Sequence, residues 1–479
     1  MIIARFRARC RTALAALALL LSGCASMPPA EWRGASSDDR SCLVALAAHD
    51  AEVDRAGLRD AEAERIAGFP FLRIDRLTAA LAPRAVASDA AFDVWLQRLR
   101  ALDATARDVE GLAAGAAPPA CADRLVVSLR ADPEARALLL TRARVPDRYS
   151  KSLRVVGWYA LTRIPFFAGV QAWQREQQEQ IREAAARARP ALRIGDVQAA
   201  VPLPPAHARP RDALGLPLVD AAAAEGLLAA HAPIFDIEAQ REYDRIGAPG
   251  WRAAGQLAVD TGETVVYQRL THTLVQGHAL VQLVYTAWFA ERPKRGAFDL
   301  LGGAIDGLIV RITLAPDGRP LLVDTIHACG CFHLFFPAAG VTLRPGAPVD
   351  KEWAFVPAAL PRWQAGDRFA IRVASATHDV IGLSTVPSTQ PDLTARYQRR
   401  PESQLKRLPT PDGGVRSLYG PDGLVAGSER AERFFFWPMG IASAGTMRQW
   451  GHHATAFVGR RHFDDADLIE RRFAIPALE

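Results

Sequence analysis

The sequence predicts an α+β protein in which a mostly helical N-terminal region is followed by an antiparallel, β-rich C-terminal domain of the sandwich or barrel type. Up to about residue 200, apolar residues recur at the three- and four-residue spacing of amphipathic helices. Beyond residue 232 they form short strand-like runs separated by glycine, proline and aspartate. A chain of 479 residues, 49% of them hydrophobic, is long enough to bury two or three domain cores.

The first 24 residues have the organisation of a secretory signal. Four arginines between positions 5 and 11 precede the apolar run 13–21, which is shorter than the roughly 20 residues that a membrane-spanning helix needs. The run ends in Leu21-Ser22-Gly23-Cys24, which resembles the lipobox of bacterial lipoproteins. The resemblance implies cleavage before Cys24 and acylation of its thiol, and Ala25 and Ser26 after it favour the outer membrane. An ordinary cleaved signal peptide is the alternative.

Cleavage of this signal changes the net charge of the mature chain, and the implied envelope location limits its possible partners. Loss of the four signal arginines lowers the formal net charge from +6 to +2, so the basic composition does not indicate a nucleic-acid partner. No later run of 18 apolar residues follows, and the rest of the chain is predicted to be soluble. The predicted partner is the outer membrane, contacted through acyl chains from its periplasmic or cell-surface side. No protein partner or small ligand is identified.

These features divide the chain into five segments. Residues 1–23 are the predicted lipoprotein signal peptide, and residues 24–40 are a lipid-anchored tether. Residues 41–200 form the helical region. A proline-rich linker at 201–231 separates it from the β-rich domain at 232–479.

Two stretches of the helical region carry clear helix patterns. Ser88 or Asp89 can cap a helix that reaches Leu102, because the apolar residues between them fall on one helical face. Residues 171–189, rich in Gln, Glu, Arg and Ala and followed by Pro190, form the second predicted helix.

The aromatic stretch 157–170 lies between these two helices and is open to two interpretations. Its Arg163 and Pro165 exclude a membrane-spanning helix. The aromatic side chains fit a core segment that is broken by the proline. They also fit a membrane-surface segment or a ligand-binding groove.

A hairpin at residues 308–327 is the best-defined element of the β-rich domain. Apolar residues at 308, 310, 312 and 314 share one face of a strand. The turn Ala315-Pro316-Asp317-Gly318 follows, in which Gly318 can take a positive φ, and residues 319–327 return as the partner strand. Further strands are predicted at 264–270, 280–289, 369–374, 434–437 and 454–458.

Cysteine usage suits an oxidising compartment. Apart from Cys10 in the signal and Cys24 at the lipidation site, four cysteines are left. An even number of cysteines is typical of disulfide pairing outside the cytoplasm. Cys42 and Cys121 both lie in the helical region, and we predict a disulfide between them. The other two are separated by a single residue in the β-rich domain.

The stretch His327-Ala328-Cys329-Gly330-Cys331-Phe332-His333 is the densest group of reactive side chains in the sequence. On an ideal strand its two thiols and two imidazoles share one face, but at about 3.3 Å per residue the outer members lie roughly 20 Å apart. One metal ion can therefore contact all four only if the chain bends. Gly330 is the residue at which the backbone can bend.

Three interpretations of this stretch stay open. In the first, Cys329 and Cys331 form a small disulfide or pair with distant cysteines, and the imidazoles are structural. In the second, both thiolates and one or both of the imidazoles of His327 and His333 bind zinc tetrahedrally, or copper(I) at lower coordination. In the third, the two cysteines are a strained, redox-active pair. Zinc and copper are therefore the candidate cofactors.

A second polar cluster lies near the C-terminus and consists of His452, His453, His462 and Asp464. These side chains can complete a metal site or supply a general base. The alternative is a solvated loop followed by a charged helix start. Three isolated histidines are taken as structural residues: His272, His278 and His378.

Known catalytic patterns are not met. Gly440–Gly445 has one residue too many before its serine for a nucleophile elbow, and Gly302–Gly307 departs from the dinucleotide fingerprint and precedes a strand. We therefore predict a lipid-anchored, periplasm-facing envelope protein that acts as a binding or assembly module. The alternative is a metal-dependent enzyme or a zinc- or copper-binding protein built on His327–His333. Whether the protein is an enzyme is left open.

Overall fold

The computed structural model describes residues 32–188, 192–196, 209–387, 389 and 392–478. The lipobox with Cys24, residues 24–31 of the predicted tether and the first part of the predicted linker lie outside these residues. Within them, a helical N-terminal region precedes a β-rich part built mainly of antiparallel sheets, which confirms the predicted α+β class.

The helices are α1 (Ser37–Ala56), α2 (Arg76–Ala85), α3 (Asp89–Ala114), α4 (Ala122–Ala131), α5 (Pro133–Arg142), α6 (Lys151–Val156), α7 (Tyr159–Ala186), α8 (Ala221–Ala230), α9 (Arg433–Phe436) and α10 (Leu468–Arg472). The strands are β1 (Glu64–Ile66), β2 (Phe69–Ile74), β3 (Leu192–Gly195), β4 (Ile234–Ile237), β5 (Ile246–Trp251), β6 (Leu257–Asp260), β7 (Val265–Val275), β8 (His278–Arg292), β9 (Gly303–Leu314), β10 (Pro320–His327), β11 (Leu334–Pro337), β12 (Thr342–Leu343), β13 (Asp367–Val373), β14 (Val380–Pro387), β15 (Ala395–Arg396), β16 (Gln398–Pro401), β17 (Leu408–Pro409), β18 (Val415–Arg416) and β19 (Phe473–Ala474).

The first five helices pack around the β1–β2 hairpin. α3 begins where the sequence predicts, because the hydroxyl of Ser88 accepts a hydrogen bond from the N–H of Ala91 (3.1 Å). Its apolar face shares a buried core with Phe69 of β2. The helix continues past the predicted end at Leu102 and ends at Ala114. The β1–β2 hairpin is not predicted, because β2 is buried along most of its length and lacks the alternation of a half-exposed strand.

The predicted disulfide between Cys42 and Cys121 is confirmed. It joins α1 to the residue that precedes α4, and its two Cα atoms are 6.0 Å apart across a sequence separation of 79 residues. The bond lies beside the core of the N-terminal region, in which Cys42 is buried. It therefore crosslinks two parts of the helical region that lie far apart in the sequence.

Helix α7 merges the predicted helix at 171–189 with the aromatic stretch before it. The prediction that Pro165 breaks this segment is wrong, since the helix runs through the proline. Phe166 packs against Phe436 and Phe457, with ring centroids 5.2 and 6.4 Å apart, and this contact holds the helix in place. The residue just before the helix, Trp158, is 70% exposed, so the aromatic stretch is not buried along its whole length.

The larger sheet has eight strands, with β8 at its centre. β8 pairs with β9 on one side, and with β7 and β5 on the other. The predicted hairpin is confirmed as β9 and β10, which pair antiparallel from Leu314 opposite Pro320 to Leu308 opposite His327. Gly318 in its turn has a φ of 85°. β11 continues the sheet beyond β10, and β16 adds a parallel strand next to β7.

A second sheet has the strand order β14, β13, β4, β3 and β15. Its pairings β13 with β4 and β15 with β3 are parallel, in contrast to the predicted antiparallel arrangement. Side chains of both sheets form one buried core, which includes Phe235 and Ile371 from the smaller sheet and Val310 and Ile312 from β9. This layering of two sheets agrees with the predicted sandwich type.

One strand and one helix lie in segments for which the sequence predicts a different structure. β3 lies inside the predicted helical region 41–200 but pairs with β4 of the β-rich part. α8 lies inside the predicted linker 201–231, where an alanine-rich run starts after Asp220, whose carboxylate accepts the N–H of Ala223 (2.7 Å).

The predicted strands at 434–437 and 454–458 are wrong. The first is mainly the short helix α9, followed by a 3₁₀ turn that contains Pro438. The second has one isolated bridge, between Ala454 and His462, and no strand. Across the described ranges, no helix is both long and apolar enough to span a bilayer.

Candidate functional site

The chain bends at Gly330 directly after β10. The N–H of Gly330 donates to the carbonyl of His327 (2.7 Å), and the N–H of His327 donates to the carbonyl of Cys331 (3.0 Å). Gly330 has a φ of 92°, and a Cβ atom there would lie 2.9 Å from the carbonyl oxygen of Ala454. Both the backbone conformation and the lack of space therefore require glycine at this position, which is the residue at which the sequence allows a bend.

The bend brings two free thiols together. Cys329 is buried, whereas Cys331 is partly accessible, and neither is in a disulfide. The N–H of Cys331 donates a hydrogen bond to the sulfur of Cys329 (3.4 Å). Of the three interpretations of this stretch, the closed disulfide is therefore not the state observed.

The two thiols differ in pKa. Hydrogen bonding from the Cys331 side chain is the main cause that lowers the pKa of Cys329 to about 6, and the positive charge of His327 assists it against the effect of burial. The same hydrogen bond, together with burial, raises the pKa of Cys331. The pair therefore carries one negative charge, which is required of a sulfur nucleophile.

His327 supplies a cation next to this charge. Its Nδ1 lies 3.7 Å from a carboxylate oxygen of Asp306, and its Nε2 lies 3.4 Å from one of Asp379. Burial alone would lower the pKa of this histidine, but the two carboxylates outweigh burial and raise it to about 10. The imidazole is therefore protonated across the physiological range.

Asp306 is shared with a second histidine. Its other oxygen is 2.7 Å from Nδ1 of His378, whose Nε2 contacts the carbonyl of Tyr243 (3.1 Å). The ring of His378 stacks on Phe289 with centroids 3.9 Å apart. The sequence assigns His378 as an isolated structural residue and does not single out Asp306. The sequence does contain one sign that Asp306 has a partner. It falls on the apolar face of β9, where burial of an unpaired carboxylate would destabilise the fold.

His333 belongs to a different ion-pair group. Its Nε2 lies 2.8 Å from Asp324, which also accepts a hydrogen bond from Nε of Arg311 (3.0 Å). Burial lowers the pKa of His333 to about 3 despite the carboxylate, and Arg461 adds to this effect. The two imidazoles of the stretch are therefore held by different carboxylates. In the part of the chain that the structure describes, no three or more His, Cys, Asp or Glu side chains are arranged to hold a metal ion.

The members of the predicted C-terminal cluster are engaged by other protein groups, although Arg148 contacts both His452 (3.2 Å) and His462 (3.4 Å). Nε2 of His452 contacts the carbonyl of Ala61 (2.7 Å), and Nε2 of His462 lies 3.2 Å from Asp147. The carboxylate of Asp464 lies 3.3 Å from Arg76. These three residues connect the helical region to the C-terminal loops. His453 alone reaches the candidate site, since its Nε2 contacts the carbonyl of Ala328 (3.1 Å).

Arg448 holds the dithiol loop from the other side. Its Nε donates to the carbonyl of Cys329 (3.0 Å), and its Nη2 donates to the carbonyls of Ala442 (2.6 Å) and Ser443 (2.8 Å). The guanidinium is buried, and burial lowers its pKa. No motif in the sequence indicates this arginine, because its partners are backbone carbonyls.

The accessible face of Cys331 opens onto a cavity of about 470 Å³. Aromatic rings form a large part of its wall, from Phe166, Trp173, Phe332, Trp353, Phe355, Phe436 and Phe457. Polar side chains also line it, among them Glu352, Glu432 and Arg461. Burial and the charge at Cys329 raise the pKa of Glu432 to about 8, so this carboxyl group is mostly protonated at neutral pH.

Exposed apolar side chains surround the elements that build this cavity. They lie on α6, on the first turns of α7 and on α9: Val155, Val156, Trp158, Leu161, Ile164, Phe434 and Phe435. We call this set the apolar rim. The contact of Phe166 with Phe436 joins α7 to α9, and both helices contribute residues to the rim and to the cavity wall.

Comparison with known protein families, with curated proteins and with solved structures finds no significant match. The site is therefore interpreted from its own geometry and chemistry.

Proposed function

We propose that this chain is a lipid-anchored envelope binding protein, facing the periplasm or the cell surface, that takes an elongated apolar ligand such as an acyl chain into its cavity. The observation that carries the proposal is the cavity itself. Its volume of about 470 Å³ lies within the roughly 300–1,000 Å³ typical of small-molecule sites. Its walls are mainly apolar, with few polar groups to orient a ligand.

The aromatic rings of the wall support one another. Trp173 contacts Phe332 and Phe355, with ring centroids 5.3 and 5.5 Å apart. Packed rings of this kind cannot rotate freely, so the cavity is preformed and a ligand does not have to order it. Burial of a ligand's apolar surface then contributes about 25 cal/mol for each Å² removed from water.

The apolar rim supports a lipid surface as the source of the ligand. Exposed Trp158 and Phe434 have the ring types that suit a membrane interface. The guanidinium of Arg433 lies 4.8 Å from the ring centre of Phe434, and Lys151 at the start of α6 is exposed. Cations among exposed aromatic residues favour anionic headgroups. The predicted acyl anchor at Cys24 would keep the protein at such a surface.

Photolabelling tests the proposal. The full chain, in lipid nanodiscs, is irradiated with a photoactivatable fatty acid, and labelled peptides are quantified by mass spectrometry. We expect label on peptides that contain the cavity-lining residues of α7, and about ten-fold less label in Val170→Trp, which fills the cavity. Leu112→Trp, at an exposed position of α3 outside the cavity, is the matched control. Equal labelling of the two variants would contradict the proposal.

Metal binding is the second candidate, and the adjacent reduced sulfurs favour it. Both imidazoles of the predicted zinc set are engaged by carboxylates. Copper(I), which accepts low coordination by soft sulfur, therefore suits Cys329 and Cys331 better than tetrahedral zinc. Elemental analysis of the purified chain tests it: about one copper per chain, lost in Cys329→Ser, would support this candidate, and a metal content unaffected by the substitution would exclude it.

A further inference from the structure

The dithiol differs from an inert pair of buried cysteines in three respects that can be seen in the structure. The backbone N–H of Cys331 lies 3.4 Å from the sulfur of Cys329. One sulfur is buried while the other lines the wall of a cavity. A carboxyl group, that of Glu432, lines the same cavity. These are the parts that thiol-disulfide exchange needs: an accessible attacking sulfur, a resolving sulfur and a proton donor.

We propose that Cys329 and Cys331 form a reversible dithiol/disulfide couple that exchanges with a small organic disulfide bound in the cavity. Cys331 is the attacking sulfur, Cys329 is the resolving sulfur, and Glu432 supplies protons to the departing thiolates. The inference goes beyond the binding of an apolar ligand and does not depend on that ligand being an acyl chain.

The bend at Gly330 makes ring closure possible. A disulfide needs Cα atoms about 4.4–6.8 Å apart, and two residues on an extended strand lie near the upper limit. The turn between His327 and Cys331 bends the chain at this point and brings the backbone N–H of Cys331 to 3.4 Å from the sulfur of Cys329. A ring that encloses a single residue is strained, and strained disulfides are readily reduced.

The surrounding charges favour a thiolate at this place. His327 carries a positive charge that Asp306 and Asp379 stabilise. The lowered pKa of Cys329 and the raised pKa of Cys331 place the thiolate mainly on Cys329 and the proton on Cys331. Transfer of this proton from Cys331 to Cys329 moves the thiolate to Cys331, which lines the cavity.

The first half-reaction forms a mixed disulfide. The Cys331 thiolate attacks one sulfur of R–S–S–R, a new S–S bond forms between Cys331 and one R–S group, and the original S–S bond breaks. The departing R–S⁻ takes the proton of Glu432 and leaves as R–SH. Glu432 can donate because burial, with the charge at Cys329, raises its pKa to about 8.

The second half-reaction closes the protein disulfide. The Cys329 thiol passes its proton to the Glu432 carboxylate and attacks the Cys331 sulfur. The second R–S⁻ departs and takes this proton, and water then reprotonates Glu432. Two electrons have passed from the protein sulfurs to R–S–S–R, which is reduced to two R–SH, while the protein dithiol is oxidised to a disulfide.

The stoichiometry of reaction with an aromatic disulfide tests the order of attack. The full chain in detergent, with a chelator present, is treated with 5,5′-dithiobis(2-nitrobenzoate), and released thiol is counted against the Cys329→Ser/Cys331→Ser double variant. We expect two equivalents from the native chain and one from Cys329→Ser, which retains a mixed disulfide on Cys331. We expect at least about a ten-fold slower reaction for Cys331→Ser, because the remaining Cys329 is buried.

Two results would overturn the inference: a Cys331→Ser variant that reacts at the native rate, or a native chain that stops at one equivalent with a stable mixed disulfide. Neither result bears on acyl-chain labelling, so the two proposals can fail separately.

The role of Glu432 is tested by comparing two disulfides. Bis(2-hydroxyethyl) disulfide releases a basic alkyl thiolate that needs a proton, whereas the nitrobenzoate reagent releases a weakly basic aryl thiolate that does not. We expect Glu432→Gln to slow the alkyl reaction by about ten-fold or more and to leave the aryl reaction unchanged. Equal slowing of both reactions would show that Glu432 maintains the structure of the cavity and does not donate protons.

Discussion

Cys42 and Cys121 are joined in a disulfide across 79 residues, whereas Cys329 and Cys331, one residue apart, are both free thiols. The first pair connects two helices of the N-terminal core and has no reactive group assigned to it. The second lies at a bend, next to a buried imidazolium, with one sulfur on a cavity wall. A disulfide between residues far apart in sequence stabilises the fold, because it restricts the unfolded chain. The reactivity of a thiol depends instead on the charges around it.

The largest expected effect is on stability, and it concerns the N-terminal pair alone. Cys42→Ser removes a crosslink that closes a loop of about 80 residues, which in the chain-entropy model contributes about 4 kcal/mol to the free energy of unfolding. Cys329→Ser breaks no covalent bond and is expected to cost far less. Urea unfolding of the two variants and of the native chain measures both values. Similar losses for the two serine variants would contradict the proposed difference between the pairs.

A smaller effect is expected at the bend. Gly330→Ala introduces both a strained positive φ and a contact of 2.9 Å with the carbonyl of Ala454, and we expect it to destabilise the protein by about 2–3 kcal/mol. Gly318→Ala is the matched control, because its φ is 85° and no atom lies within 4 Å of the new Cβ. It should cost about 1 kcal/mol. Thermal unfolding compares the two variants, and equal losses would show that packing against Ala454 does not matter.

The smallest predicted effect concerns the thiolate. His327→Gln removes the nearby cation, so the pKa of Cys329, about 6 in the native chain, should rise by roughly one unit. The thiolate is the basic form, so it appears as the pH rises through this value, and the variant should need a higher pH. Ultraviolet absorbance of the thiolate, followed against pH, gives both midpoints.

His333→Gln provides the control for this titration. His333 is neutral at physiological pH because its pKa is held at about 3, so its removal should leave the midpoint unchanged. The other charged groups that act on Cys329, including Arg448, Glu432 and Asp306, are present in both variants. Equal midpoints for His327→Gln and the native chain would mean that the imidazolium does not stabilise the thiolate.

Features set by local chemistry are predictable from this sequence. The start of α3 follows from Ser88 and the apolar spacing after it, and the β9–β10 hairpin follows from strand alternation and Gly318. The bend at Gly330 also follows from local geometry, since an extended chain holds the reactive side chains apart. In each case the deciding residues are close together in the sequence.

Features that depend on distant residues are not predicted. Asp379 lies 52 positions from His327 in sequence, between β13 and β14 of the smaller sheet, and only the packing of the two sheets brings it to the ring. Asp306 lies 21 positions away on β9, which pairs with β10 in the same sheet. The buried guanidinium of Arg448 binds backbone carbonyls, which leave no pattern of residue types. Helix α9 similarly forms from an aromatic run that strand propensity favours, because packing against α7 decides its conformation.

A redox titration of the full chain tests the contrast between the two cysteine pairs most directly. The protein is equilibrated across a series of dithiothreitol redox buffers, quenched, alkylated and analysed by mass spectrometry, so that each cysteine pair gives its own midpoint. We expect Cys329 and Cys331 to be oxidised and reduced together, at a potential clearly more oxidising than that of Cys42 and Cys121. A single common midpoint, or no disulfide between Cys329 and Cys331 under any buffer, would contradict the account.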